Sequence, residues 1–289
     1  MTEDQVVGLL VGTAVGDALG ATLEFKSPED ITWKHTDMIG GGYHNTGVGE
    51  WTDDTALMMA AAESYVSRMQ FDASDIANNF KSWRMTGKFG TRNYVFDIGG
   101  TTADAIACMI RDRPYAGKAT FDSSGNGSIM RVAPAIAANH NNLHVAIGEG
   151  TALSLMTHGN SDTITYISAF IAEVIHGKPL DCYRRLRIWN LQNPDGAGGT
   201  IMHSYNVAMK DAVYGMEKEC FEAGLVRAVN RGYDADTNGA VTGMLLGGWM
   251  GYSSIPKRWL EPLHQHGRIV ELGKELYKLG VGRCPNPVI

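Results

Sequence analysis

Apolar residues recur three and four positions apart along most of this chain. Ile76, Phe80 and Trp83, then Ile164, Ile167, Ile171 and Val174, then Ile269, Leu272, Leu276 and Leu279 each fall on one face of a helix. Strict apolar–polar alternation is nearly absent, so strands are not expected. The punctuation agrees: Asp72 and Asp75 stand at a helix start, and Gly177 and Gly232 stand where helices end. Three longer loops separate the periodic segments, at about 24–51, 121–134 and 193–199.

Glycine adds a second pattern. Gly8, Gly12, Gly16 and Gly20 recur every four residues near the start, and Gly239, Gly243, Gly247 and Gly251 do so near the end. A glycine inside a helix costs about 1 kcal/mol relative to alanine, so two such stripes need a compensating gain. Small residues at i and i+4 form a flat ridge that lets another backbone approach closely. Two central, tightly packed helices are therefore expected, against each other or against a shared neighbour.

Composition narrows the class. With 44% hydrophobic and 19% charged residues among 289, the chain can bury a large core, and one domain over 1–289 is expected. A net charge of −6 and the lack of a Lys/Arg cluster disfavour nucleic acid and anionic membranes as partners. The acidic Met1-Thr2-Glu3-Asp4 start lacks the basic region of a secretory signal, and no stretch is apolar enough to span a bilayer, so a cytoplasmic protein is expected. Cys108, Cys182, Cys220 and Cys284 contain no C-x-x-C pair and are expected to be reduced, mostly buried thiols.

Two acidic motifs precede expected helices: Thr52-Asp53-Asp54, and Asp234-Ala235-Asp236-Thr237 before the second glycine stripe. Taken separately, each is explained by capping, because Thr and Asp suit a helix N-terminus. Together they supply four carboxylates and two hydroxyls, the oxygen donors that hard divalent cations take. If the two helix starts meet, a two-metal site follows. A third motif, Gly125-Asn126-Gly127-Ser128-Ile129-Met130-Arg131, could offer backbone amides and a guanidinium to an anion, although Asn-Gly is also a common turn. His158 in Thr157-His158-Gly159 is by itself as well explained by a core position.

In this order the motifs resemble the ADP-ribosylglycohydrolases, most closely the dinitrogenase-reductase-activating branch. The similarity runs from Gly8 to about Trp259 and includes Gly16-Asp17-Ala18-Leu19-Gly20 with Glu24-Phe25, Gly49 to Thr55, Phe96 to Thr102, Gly125 to Pro134, Leu155 to His158, Gly198-Gly199 and Gly232 to Asn238. Ordered recurrence of several motifs is far more specific than any one of them. The resemblance implies an all-α, compact orthogonal helical bundle. It also implies two divalent cations, Mg2+ or Mn2+, held by Thr52, Asp53, Asp54, Asp234, Asp236 and Thr237. Asn126, Gly127, Ser128, Met130, Arg131 and His158 are implied as ADP-ribose contacts. Gly100 stands where the family more often has Asn, and Tyr205 where a smaller aliphatic residue is expected.

The activity implied is hydrolysis of the N-glycosidic bond between ADP-ribose and a modified protein side chain, arginine on the closest motif match. Serine, nucleobase or small-molecule acceptors remain open. Asp53, Asp54, Glu24 and Asp97 are the candidate catalytic carboxylates, unranked as general base or as positioner of the guanidinium. The expected partners are an ADP-ribosylated protein and ADP-ribose as product, with a monomer as the acting form. Two rivals are weaker. A nucleotide-sugar glycosyltransferase reading of Asp234-x-Asp236 needs a strand–helix alternation that the chain lacks. A non-catalytic ADP-ribose reader would not need the full set of metal-type residues.

Overall fold

The computed structural model describes residues 1–109, 113–120, 123–178 and 199–283. Cys182, Cys284 and the loop positions 121, 122 and 193–198 referred to above lie outside the described residues. The elements run α1 (Glu3–Gly20), α2 (Asp53–Arg68), α3 (Ala73–Thr86), α4 (Gly100–Cys108), α5 (Ala133–Ala138), α6 (Leu143–Leu155), α7 (Ser161–His176), α8 (Gly199–Glu217), α9 (Phe221–Val229), α10 (Ala235–Met250), α11 (Lys257–Leu260) and α12 (His266–Gly282). Among the described residues there is no named strand, and the isolated bridges Gly41–Thr46 and Lys118–His158 are the extended pairings. The expected all-α class is what the chain adopts.

Helices α1 and α10 form the axis. Every residue from Val6 to Gly20 and from Ala235 to Trp249 is buried. Helices apolar on all sides belong in the middle of a fold, with the others wrapped around them. The two glycine stripes meet each other in antiparallel register. A Cβ on Gly8, Gly12 or Gly16 would stand closer than 3.0 Å to the carbonyl oxygen of Gly247, Gly243 or Gly239, respectively. Gly20 completes the ridge against Ala235 rather than a fourth glycine. Gly251 departs from the stripe: it caps α10 with φ of +87°, which an L side chain rarely adopts.

Local signals set the helix ends. Thr2 and Gln5 close a reciprocal capping box on α1. Asp72 accepts from Asp75 N at the start of α3, and Gly177 ends α7 with φ of +67°. On α12, Ile269, Leu272, Leu276 and Leu279 are buried as their spacing predicts, and α12 packs against α1. Tyr205 of α8 is buried against Tyr166 of α7, rings 5.4 Å apart, so it packs and does not line a cleft. The thiols differ from expectation: Cys108 is exposed and Cys220 half-buried, because each sits where its helix meets a loop. Among the described residues no helix is long and apolar enough to cross a membrane.

Candidate active site

Helix packing brings the two acidic motifs together. Because α1 and α10 run antiparallel, the end of α1 lies beside the start of α10, so Glu24 emerges next to Asp234 and Asp236. Helix α2 is fixed to the same place by Asp17, a carboxylate on the buried axis. Asp17 accepts from Thr52 N at 2.9 and 3.1 Å, from Thr55 N at 3.0 Å and from Thr55 Oγ1 at 2.7 Å. It satisfies the N-terminal amides that a local cap would otherwise take.

The side chains of Thr52 and Asp234 make no capping hydrogen bond at their own helices. They point instead at one another's neighbourhood. Thr52 Oγ1 lies 3.2 Å from Asp54 Oδ2 and 3.4 Å from Asp236 Oδ2, which joins the two motifs directly. Glu24, Asp53, Asp97, Asp234 and Asp236 line one cavity of about 250 Å³, with Asp54 buried behind them. Thr237, Asn126, Gly127, Met130 and His158 line the same cavity. Asn126 Nδ2 donates to Asp234 Oδ2 at 2.5 Å and to Ser204 Oγ at 2.9 Å, tying the glycine loop to the start of α10.

Two of the expected contact residues lie off the cavity wall. Arg131 is wholly buried and does not line the cavity. Its guanidinium donates to Gly127 O at 2.8 Å, to Leu153 O and to Thr157 Oγ1, and lies over Phe80. The chain turns inward at Ile129–Arg131, so this charge braces the loop from beneath. Ser128 is likewise buried and off the cavity wall. A Cβ on Gly125 or Gly127 would press on the His158 ring.

The electrostatics are those of crowded acids. Burial, then repulsion from Asp97 and its neighbours, pushes Glu24 up to about 9. Burial first, then neighbouring carboxylates, holds Asp53, Asp54 and Asp236 well above the usual range, and burial raises Asp97. Burial takes Asp17 to about 6 despite its hydrogen bonds. His158 is pulled down to about 3 by burial and then by Arg131, so it is a neutral ring.

Asp54 Oδ1 and Asp236 Oδ1 are buried and accept no hydrogen bond. Buried anionic oxygens without partners are costly, and a hard divalent cation is the natural counterweight. The donor set therefore fits such an ion. His44 was not anticipated. Its Nε2 lies 3.0 Å from Glu24 Oε2 and 3.7 Å from Asp97 Oδ1, and Glu24, His44 and Asp97 each offer one ligand-type atom within 4.8 Å of the others. A lone histidine in a glycine-rich loop carries no spacing signal that would have found it.

The fold and cavity define a class: a helical protein with an oxygen-rich, cation-type site beneath a glycine loop. Comparison with known proteins gives that class its family. The family model described as ADP-ribosylglycohydrolase matches residues 1–286. An ADP-ribosylarginine hydrolase of Serratia proteamaculans is 30% identical, over 95% of this chain and 79% of the relative. The ADP-ribosyl-[dinitrogen reductase] glycohydrolase of Rhodospirillum rubrum is 30% identical over 90% of each chain. A solved structure titled ADP-ribosylglycohydrolase-related protein complex superposes with a TM-score of 0.78 at 29% identity, over 96% of this chain and 98% of the other. The chain belongs to the ADP-ribosylglycohydrolase family.

Proposed function

We propose that this protein is a cytoplasmic hydrolase that releases ADP-ribose from modified arginine on a protein, using two bound Mg2+ or Mn2+ ions. The observation that carries this reading is the pair of buried oxygens without a hydrogen-bond donor, Asp236 Oδ1 on a residue of the carboxylate-lined cavity and Asp54 Oδ1 behind it. The names of relatives at 30% identity support the acceptor.

Thr52, Asp53, Asp54, Asp234, Asp236 and Thr237 would hold the cations. When bound, such ions stabilise negative charge on sugar oxygens and make a water more acidic. Asp53 or Asp54 would act as the general base for the attacking water. Glu24 and Asp97 face the cavity as the second pair of carboxylates, able to accept from a guanidinium in its fixed fork. Asn126, Gly127 and Met130 form the wall for ADP-ribose, Ser128 and Arg131 shape it from below, and neutral His158 supports it. A second cavity of about 350 Å³ also reaches Thr101 and offers room for the rest of a nucleotide. All these groups come from one chain, so a monomer suffices.

The test is to incubate purified protein and Mn2+ or Mg2+ with arginine-, serine- and nucleobase-linked ADP-ribose. Release from the arginine conjugate is expected. Release from serine alone overturns the acceptor, and binding without release from any of them overturns the hydrolase.

A further inference from the structure

Beside the acids, Phe25 on the cavity wall belongs to a group of exposed aromatic rings next to that wall. Phe25 and Tyr233 have φ of +62° and +54°, a region that bulky residues rarely enter. Such backbone persists only where its surroundings impose it, and functional sites are where it collects. Here the two segments impose it on each other: Phe25 N donates to Tyr233 O at 2.6 Å, and Tyr233 N donates to Lys26 O at 2.7 Å. Phe25 directly follows Glu24, Tyr233 directly precedes Asp234, and the rings are 60% and 57% exposed.

The rings continue inward. Tyr43, 73% exposed, meets Phe25 at 4.9 Å and 80°, so the two make a perpendicular corner. Tyr43 meets His44 at 5.0 Å, and His44 meets Phe96 at 5.5 Å. Glu24 lies at the foot of this corner, only 5% exposed, and its Oε2 accepts no hydrogen bond although His44 Nε2 is 3.0 Å away. The same cluster already holds a guanidinium elsewhere. Arg92 lies over Phe96 at 4.3 Å while pairing with Glu50 at 2.7 Å. Ring face plus carboxylate is the arrangement that suits a planar cation.

We propose that Phe25 and Tyr43 form an acceptor subsite, in which the guanidinium of the modified residue stacks on the ring corner while Glu24 receives its N–H groups. This rests on the arginine reading above but is tested apart from it. The rings would select the acceptor and leave ADP-ribose binding to the glycine loop.

Two probes separate these roles in the full, Mn2+-loaded protein. Agmatine titrated in the presence of saturating ADP-ribose reports guanidinium binding without turnover, and an arginine-linked ADP-ribosyl peptide reports kcat and KM. Phe25→Gly and Tyr43→Ala should each raise the agmatine Kd and the peptide KM about tenfold, with ADP-ribose affinity unchanged and activity restored in Phe25→Tyr. Phe25→Gly should melt no lower than the parent, because glycine adopts φ of +62° freely, so a loss of binding cannot be ascribed to unfolding. Unchanged agmatine Kd and peptide KM in both variants overturn the subsite and leave the hydrolase reading intact. An equal loss of ADP-ribose affinity overturns it too, since the rings would then belong to the nucleotide. If the parent cleaves only a serine-linked conjugate yet binds agmatine through Phe25, the arginine reading fails and the cation subsite stands.

Discussion

Asp17 shows how one residue decides what others can do. By taking the amides at the start of α2, it frees Thr52, Asp53 and Asp54 from the capping role that each motif suggested in isolation. That choice was not legible in the sequence, because the substituting cap lies 35 positions upstream on another helix. The acids themselves were legible, since four carboxylates and two hydroxyls exceed what two caps need. The burial of Arg131 was not legible for the same reason as the caps: glycine, serine and arginine in a row describe a phosphate loop and a braced turn equally well, and its place in the core is set by the fold. Removing Asp54 or Asp236 should abolish turnover yet leave the chelated protein at least as heat-stable as the parent, since a buried unpaired carboxylate goes with it. Melting curves in chelator, run beside activity in Mn2+, check both halves.

The same acids set a pH dependence. Glu24 has a folded value raised to about 9, so its stabilising contribution is complete below the ordinary carboxylate range and is lost as pH rises towards that value. Acids with lowered values, such as Glu50 and Asp75, act in the opposite direction, but only at acidic pH where they protonate. Between pH 6 and about 9 the chelated protein should therefore lose thermal stability steadily, and saturating Mg2+ or Mn2+ should flatten the slope. A melting temperature independent of pH over that window in chelator would contradict it.

At the scale of helices, the glycine stripes are where periodicity served best. Spacing by four among apolar residues announced close packing, and α1 with α10 is that contact. Register was not legible, because nothing local says that Gly20 meets Ala235 or that Gly251 leaves the helix to cap it. Gly12→Ala and Gly243→Ala each press a Cβ onto the opposing backbone and should destabilise by roughly 1–3 kcal/mol or more, in spite of alanine's better helix propensity. Gly267→Ala is the control: it lies in α12 with nothing within 4 Å, and should be neutral or stabilising. Thermal melts of the three variants in one buffer compare them directly.

For the whole molecule, the helical class and the pairing of distant acidic motifs could be read from periodicity and composition, whereas the aromatic group beside the cavity and His44 could not. Exposed rings in a loop look like any other surface residues until a fold sets them beside buried carboxylates. The α1–α10 contact also carries a consequence for synthesis. Its halves, Glu3–Gly20 and Ala235–Met250, are more than 200 residues apart, and the groups at 52–54 meet those at 234–237 only when both helices exist. At a translation rate of about 5–20 residues per second, the nascent chain spends roughly ten to forty seconds with the first helix's glycine ridge uncovered. Throughout that interval the ribosome-bound chain has no assembled acidic cavity, so any activity that depends on it waits until nearly all of the chain has been made.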